Sequence, residues 1–229
     1  MNLREEWSDH AAQADHAAQA DDPVRAVCAV HAVHAAPFLL GSLITSRVAG
    51  ASVTIRVTEV EAYGGMGEDP GSHAYRRRTA RNATMFGPPG HAYAYFTYGM
   101  HWMLNMVTQP EGTAGAVLIR AGQVVDGIDV ASARRPACTA ERDLCRGPAR
   151  LAAALGIDGA CDGLDLCARD GILELELASA APERVLTSAR TGVAGEGAPT
   201  PWRFFLPGES TVSPYRAAAA RARLARPPQ

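Results

Sequence analysis

Lysine is missing: all 22 basic residues of the 229-residue chain are arginine. A Schiff base needs an amine, so no side chain here can form one, and only the N-terminal amine could substitute. No run of eighteen apolar residues occurs, and no membrane span is expected. The opening stretch has neither a basic start nor an apolar core, so no secretory signal is expected. Five cysteines (Cys28, Cys138, Cys145, Cys161, Cys167) make an odd number without a CxxC pair. That argues against a disulfide framework or a zinc site, and for reduced thiols in a cytosol-like compartment. HxxxH and HExxH spacings are absent, so neither a metal nor a cofactor is expected. Charge is also nearly balanced, with a net −2 and a pI near 6.4. Nothing global points to nucleic acid.

The basic charge is nevertheless uneven. "RRRTAR" gathers Arg76, Arg77, Arg78 and Arg81. Such a run is either a solvated face or a phosphate-tracking loop, since guanidinium forks suit phosphate oxygens. Residues 10–21 are "HAAQAD" twice, too few copies for a solenoid. Residues 1–22 read as an Ala-rich disordered tail, 23–213 as one domain and 214–229 as a short basic helix and tail. Helical spacing after Pro37 predicts a helix over 37–48. Alternation predicts strands over 52–63, 91–97, 101–107, 114–121 and 172–177, with another at 202–206. Helices are expected over 123–135 and 147–156, the second opened by Gly147 and Pro148. Strands and helices interleave without a βαβ rhythm. The expected class is α+β: one domain with a curved, mostly antiparallel sheet and a protruding hairpin.

Chemistry concentrates in two stretches. In "VTEVEAY", period-two geometry puts Val57, Glu59, Glu61 and Tyr63 on one face. Two carboxylates on an apolar face need a partner or a purpose. Arg120 is a candidate partner, and a general base is the functional alternative. In "HAYAYFTYGMHWMLN", Tyr93 and Tyr95 share a face while Tyr98 falls out of phase beside Gly99. A tyrosine at a hairpin tip is exposed and suits insertion or stacking on a base. Asn105 among apolar neighbours needs a hydrogen-bond partner, either backbone or ligand. His73 in "PGSHAY" reads alone as a surface or capping histidine.

Together "EVEAY", "SHA", "RTARNATMF", "AYAYFTYGMHWMLN", "VLIRA", "RDLCRGPARLAAALGI" and "PWRFF" closely resemble the alkyladenine (3-methyladenine) DNA glycosylase family over about residues 30–212. The joint occurrence is specific; any one motif alone is weak. The resemblance implies hydrolysis of the N-glycosidic bond of alkylated purines in double-stranded DNA and, in some members, of deaminated adenine. It implies Glu61 as general base and Arg120 as the arginine holding the attacking water. Tyr63, His73 and Tyr95 become walls around a flipped base, and Asn105 the residue crowding the amino group of normal guanine. Tyr98 becomes the wedge, with Met100 beside it in the groove. Arg76, Arg77, Arg78 and Arg81 then become phosphate contacts. Ala80 and Ala189 stand where the family typically has proline. A cytoplasmic monomer, nucleoid-associated in a bacterium, is the corresponding expectation. Two alternatives share the same residues: a non-catalytic binder of damaged DNA, and an RNA or nucleoside hydrolase.

Overall fold

A computed structural model describes residues 22–218. The HAAQAD repeat and residues 219–229 of the expected basic C-terminal helix and tail lie outside them; 214–218 are not helical. In chain order the elements are α1 (Pro23–Cys28), α2 (Ala32–Leu39), β1 (Leu43–Ser46), β2 (Val53–Tyr63), β3 (Ala92–Thr97) and β4 (His101–Val107). Then follow β5 (Ala116–Asp126), α3 (Ile128–Arg134), α4 (Pro148–Leu155), β6 (Leu173–Glu176), β7 (Leu186–Ser188) and β8 (Arg203–Phe205). The strands form one open antiparallel sheet in the order β3-β4-β5-β2-β1-β6, with β8 joining β2 and β7 joining β8. The class is α+β, as expected.

Two elements depart from the sequence reading. The stretch 37–48 is not a helix. Pro37 lies in the last turns of α2, where it offers no N–H to continue the ladder. Residues Leu43–Ser46 instead pair with β2 on one edge and β6 on the other. Long-range ladder bonds outweigh the local helical spacing there. The expected helix 123–135 starts later, because β5 runs on to Asp126. Gly127 then turns the chain at φ 74°, where a β-carbon would run into the Ser52 carbonyl oxygen. The helix at 148–155 agrees with its signature, with Pro148 in the first turn.

The core lies on one face of β2. Val53, Ile55 and Val57 belong to the main apolar cluster, and so do Val60 and Ala62. The apolar phase therefore shifts by one residue between Val57 and Val60. The pairing with β5 shifts register at this point: Val57 faces Gly122, Glu59 faces Ala121 and Val60 faces Ile119. Thr58 is the extra residue on β2 and Arg120 the extra residue on β5. Such bulges bend a strand and re-aim side chains. Here β2 also changes its other partner, from β1 over Val53–Arg56 to β8 over Glu59–Glu61.

Candidate active site

The bulges rearrange the face expected from alternation. Val57 stays with the core, while Glu59, Glu61 and Tyr63 fall on the opposite side. The carboxylates do not interrupt an apolar face; the inserted Thr58 moves them off it. Both are fully buried all the same. A buried carboxylate needs compensating charge and donors, and Arg120 is bulged out between the two. Its Nε donates to Glu59 Oε1 (2.9 Å) and its Nη1 to Glu61 Oε2 (3.2 Å).

The two glutamates have different company. Glu59 also receives Arg203 Nε (2.6 Å), the Ser213 N–H (2.6 Å) and the Ser213 hydroxyl (2.9 Å). It is a clamp that holds Arg120, β8 and the C-terminal segment together. Glu61 accepts the Tyr63 hydroxyl at Oε2 (2.9 Å) and the Thr191 N–H at Oε1 (2.6 Å). Burial pushes the Glu61 carboxyl above its ordinary range, even against Arg120 and its two hydrogen-bond donors. A carboxyl raised in this way is suited to proton transfer.

A cavity of about 460 Å³ opens in front of this pair, within the range of small-molecule sites. Tyr63, His73, Tyr95, Tyr98, Asn105 and Arg120 all line it. Glu61 is not in the lining and sits one layer behind Tyr63 and Arg120. The aromatic walls support one another. His73 packs edge-on against Tyr95 at 4.7 Å, and its Nδ1 hydrogen-bonds the Tyr93 hydroxyl at 3.2 Å. Partial burial and the Arg81 charge both lower the His73 pKa, which favours the neutral ring. Burial pushes the Tyr95 phenol up to about 12, so it stays protonated. The Asn105 amide donates to the Tyr93 carbonyl across the β3–β4 ladder (3.0 Å). That is its backbone partner, and it fixes the side chain at the cavity wall.

The hairpin tip projects away. Tyr98 (φ 53°) and Gly99 (φ 68°) are both left-handed, the signature of a primed hairpin turn. A tyrosine in that region carries about 1–2 kcal/mol of backbone strain. Its ring is 80% exposed, and Met100 beside it is 67% exposed. Met100 and the four arginines lie outside the cavity lining. Arg76, Arg77 and Arg78 are exposed on the segment approaching a 3-10 helix at Ala80–Phe86. Arg81 lies over the Tyr95 ring (5.6 Å) and donates to the Phe96 carbonyl (3.0 Å). It joins the arginine segment to the cavity rim.

Several supporting residues escaped the sequence reading. Arg190 is fully buried and grips Asp69 with two bonds of 2.6 and 2.7 Å. Its guanidinium stacks on Tyr63 (4.7 Å) and Trp202 (5.3 Å), so it backs a cavity wall. Burial pushes Asp69 up, but Arg190 and the N–H groups of Gly71 and Gly64 hold it below the ordinary carboxylate range. Asn82 donates to the carbonyls of His73 and Arg77 (2.9 and 3.0 Å) and closes a capping box with Thr79. Asn82 lies in "RTARNATMF" and Arg190 follows Ala189, but nothing local assigns them partners more than a hundred residues away or across a loop. No group of three His, Cys, Asp or Glu residues suited to a metal ion occurs among the described residues.

The family comparison agrees with this geometry. A methylpurine-DNA glycosylase family model matches residues 26–210. A protein of Streptomyces avermitilis is 50% identical over 190 residues, spanning 82% of this chain and 89% of its own. One from Leifsonia xyli subsp. xyli is 51% identical over 191 residues, spanning 80% and 88%. One from Burkholderia lata is 48% identical over 183 residues, spanning 80% and 86%. All three are provisionally named 3-methyladenine DNA glycosylases. With an aromatic cavity, a carboxylate–arginine pair behind it and this match over most of its length, the chain belongs to the methylpurine-DNA glycosylase family, hydrolases of DNA repair.

Proposed function

We propose that residues 23–213 form, as a monomer, a glycosylase that flips an alkylated purine out of duplex DNA and hydrolyses its N-glycosidic bond. The observation that carries this reading is the buried Glu61–Arg120 pair behind an aromatic cavity beside an exposed Tyr98. A stacked base is out of reach of any cavity, so the nucleotide must leave the helix at a cost of about a few kcal/mol. Tyr98 and Met100 enter the minor groove, and the tyrosine ring occupies the vacated place. Arg76, Arg77, Arg78 and Arg81 hold phosphates on either side. Tyr63, His73 and Tyr95 take the base between their rings, and an electron-poor alkylated purine stacks well there. Asn105 crowds the amino group of an unmodified guanine.

Chemistry follows from charge. As the C1′–N bond stretches, its electron pair goes to the purine and C1′ becomes cationic. Ionised Glu61 stabilises that cation and takes a proton from water, whose oxygen bonds to C1′. Arg120 keeps Glu61 ionised. The absence of lysine favours direct hydrolysis over an imine, leaving an abasic site on an intact strand.

Incubation of methylated duplex DNA with wild type and Glu61→Gln tests this. Wild type is expected to release free methylpurine, and Glu61→Gln to bind the duplex yet release at least about a thousandfold less. Wild-type release by Glu61→Gln would remove the catalytic assignment. Binding without release by wild type would favour the non-catalytic alternative. A panel with 3-methyladenine, 7-methylguanine and hypoxanthine ranks the substrates.

A further inference from the structure

The net charge of −2 covers two ends of opposite sign. Residues 1–21 carry one arginine against five carboxylates, whereas residues 214–229 carry Arg216, Arg221, Arg223 and Arg226 and no acidic residue. A basic run at one end of a chain that is otherwise near neutral is a signature of contact with a polyanion. Its place in the fold decides where that contact falls.

The root of the run is held by the site itself. Ser213 is buried, and Glu59 accepts its N–H at 2.6 Å and its hydroxyl at 2.9 Å. Arg203 Nη2 donates to the Ser213 carbonyl at 2.7 Å, and Arg120 Nη2 donates to its hydroxyl at 3.3 Å. The chain then turns outward, and Pro214, Tyr215, Arg216 and Ala217 are all exposed. The Gly192 N–H donates to the Arg216 carbonyl at 3.0 Å, and Gly192 lines the cavity. The Arg216 backbone is therefore pinned at the cavity rim, with its side chain free to face solvent.

A cavity that admits a flipped base brings the phosphates of that nucleotide to its rim. Guanidinium forks suit phosphate oxygens, and no carboxylate within the run competes for them. From Arg216 to Arg226 the chain reaches at most about 35 Å, the length of about ten base pairs. Every arginine of the run can thus reach the backbone around one flipped nucleotide.

We infer that residues 214–229 form a second DNA-binding arm. Arg216 holds a phosphate at the cavity rim, and Arg221, Arg223 and Arg226 hold phosphates flanking the flipped nucleotide. The inference rests on the reading of the chain as a DNA glycosylase. The arm adds affinity to that of the segment at 76–81 and leaves base recognition and chemistry to the cavity.

The test uses the full chain and a salt series on methylated and unmethylated duplex. It compares wild type with a variant carrying Arg216→Gln, Arg221→Gln, Arg223→Gln and Arg226→Gln, and with one carrying Lys at the same four positions. The Gln variant is expected to bind both duplexes at least about tenfold more weakly at low salt, with a slope of log affinity against log salt shallower by about 3 to 4. The Lys variant is expected to keep the wild-type slope, because attraction to phosphate needs only the charge. Release of methylpurine at saturating enzyme is expected at the wild-type rate in both, and the thermal midpoint is expected unchanged. An unchanged slope in the Gln variant, an equal loss in the Lys variant, or slower release at saturation would each overturn the arm. If wild type releases methylpurine while the Gln variant keeps its slope, only the arm falls. If wild type releases no purine, the glycosylase reading falls, and the arm with it.

Discussion

Glu61 is full of consequences because it is buried and, in the proposed mechanism, acts as an anion. A base works only when deprotonated, so release should rise as pH passes upward through the Glu61 pKa. Burial places that point above the ordinary value of 4.5. Arg120 pulls it back down, so removing the guanidinium must raise it further. Arg120→Gln is therefore expected to move the acid limb of the pH–rate profile to higher pH by about one unit or more. An acid limb left in place would show that another group sets the profile. Tyr98 carries the opposite lesson, an exposed ring held in a strained backbone. Asn tolerates the left-handed region, so Tyr98→Asn should keep the hairpin and change stability by under about 1 kcal/mol. It should also weaken binding to a lesion in duplex much more than in a single strand. Equal weakening in both would remove the wedge role.

At the level of elements, β2 is the organiser. Its first half pairs with β1 and presents a core face, and its second half pairs with β8 and presents carboxylates. The loop after β2 is held by Asp69 and Arg190, which also back Tyr63. Replacing Asp69 by Asn leaves a buried guanidinium without its anion. Breaking such a pair costs about 3–5 kcal/mol, and denaturant unfolding of Asp69→Asn should read a loss of that size. The sign with pH follows from the lowered Asp69 pKa. Its contribution to stability is complete above the unfolded-state value and disappears as pH falls through the lower folded value. A wild-type stability that already declined well above the ordinary aspartate range could not be ascribed to Asp69. The hairpin and the helix at 148–155 were legible because their signals are local: a period break beside glycine, and proline after glycine. The strand Leu43–Ser46 was not, since its stabilising partners lie in β2 and in β6.

For the whole molecule, charge is the relevant quantity. A net −2 gives no general attraction to DNA, so the proposed function assigns the phosphate contacts to the exposed arginine segment. Four phosphate contacts imply a slope of log affinity against log salt of about −4 or shallower. Replacing Arg77, which is exposed, by Ala should make the slope shallower by about one without changing lesion preference. An unchanged slope would take Arg77 out of the phosphate set. Among the described residues, no helix is long and apolar enough to cross a membrane.

The chain by itself determined the chemical inventory: no lysine, a pair of glutamates before Tyr63, a tyrosine out of phase at a glycine turn, and arginines in a run. It also determined the local elements whose signals lie within a few residues. Tertiary structure alone decided which face the glutamates occupy. The sequence carries only a one-residue change of apolar phase between Val57 and Val60, and where the bulge falls is settled by pairing with the neighbouring strand. The inserted Thr58 turned Glu59 and Glu61 away from the core, and Arg120 bulged out between them. Their distant partners then separated the pair: Arg203 and Ser213 made Glu59 a clamp, while Thr191 and Tyr63 hold Glu61 behind the cavity wall.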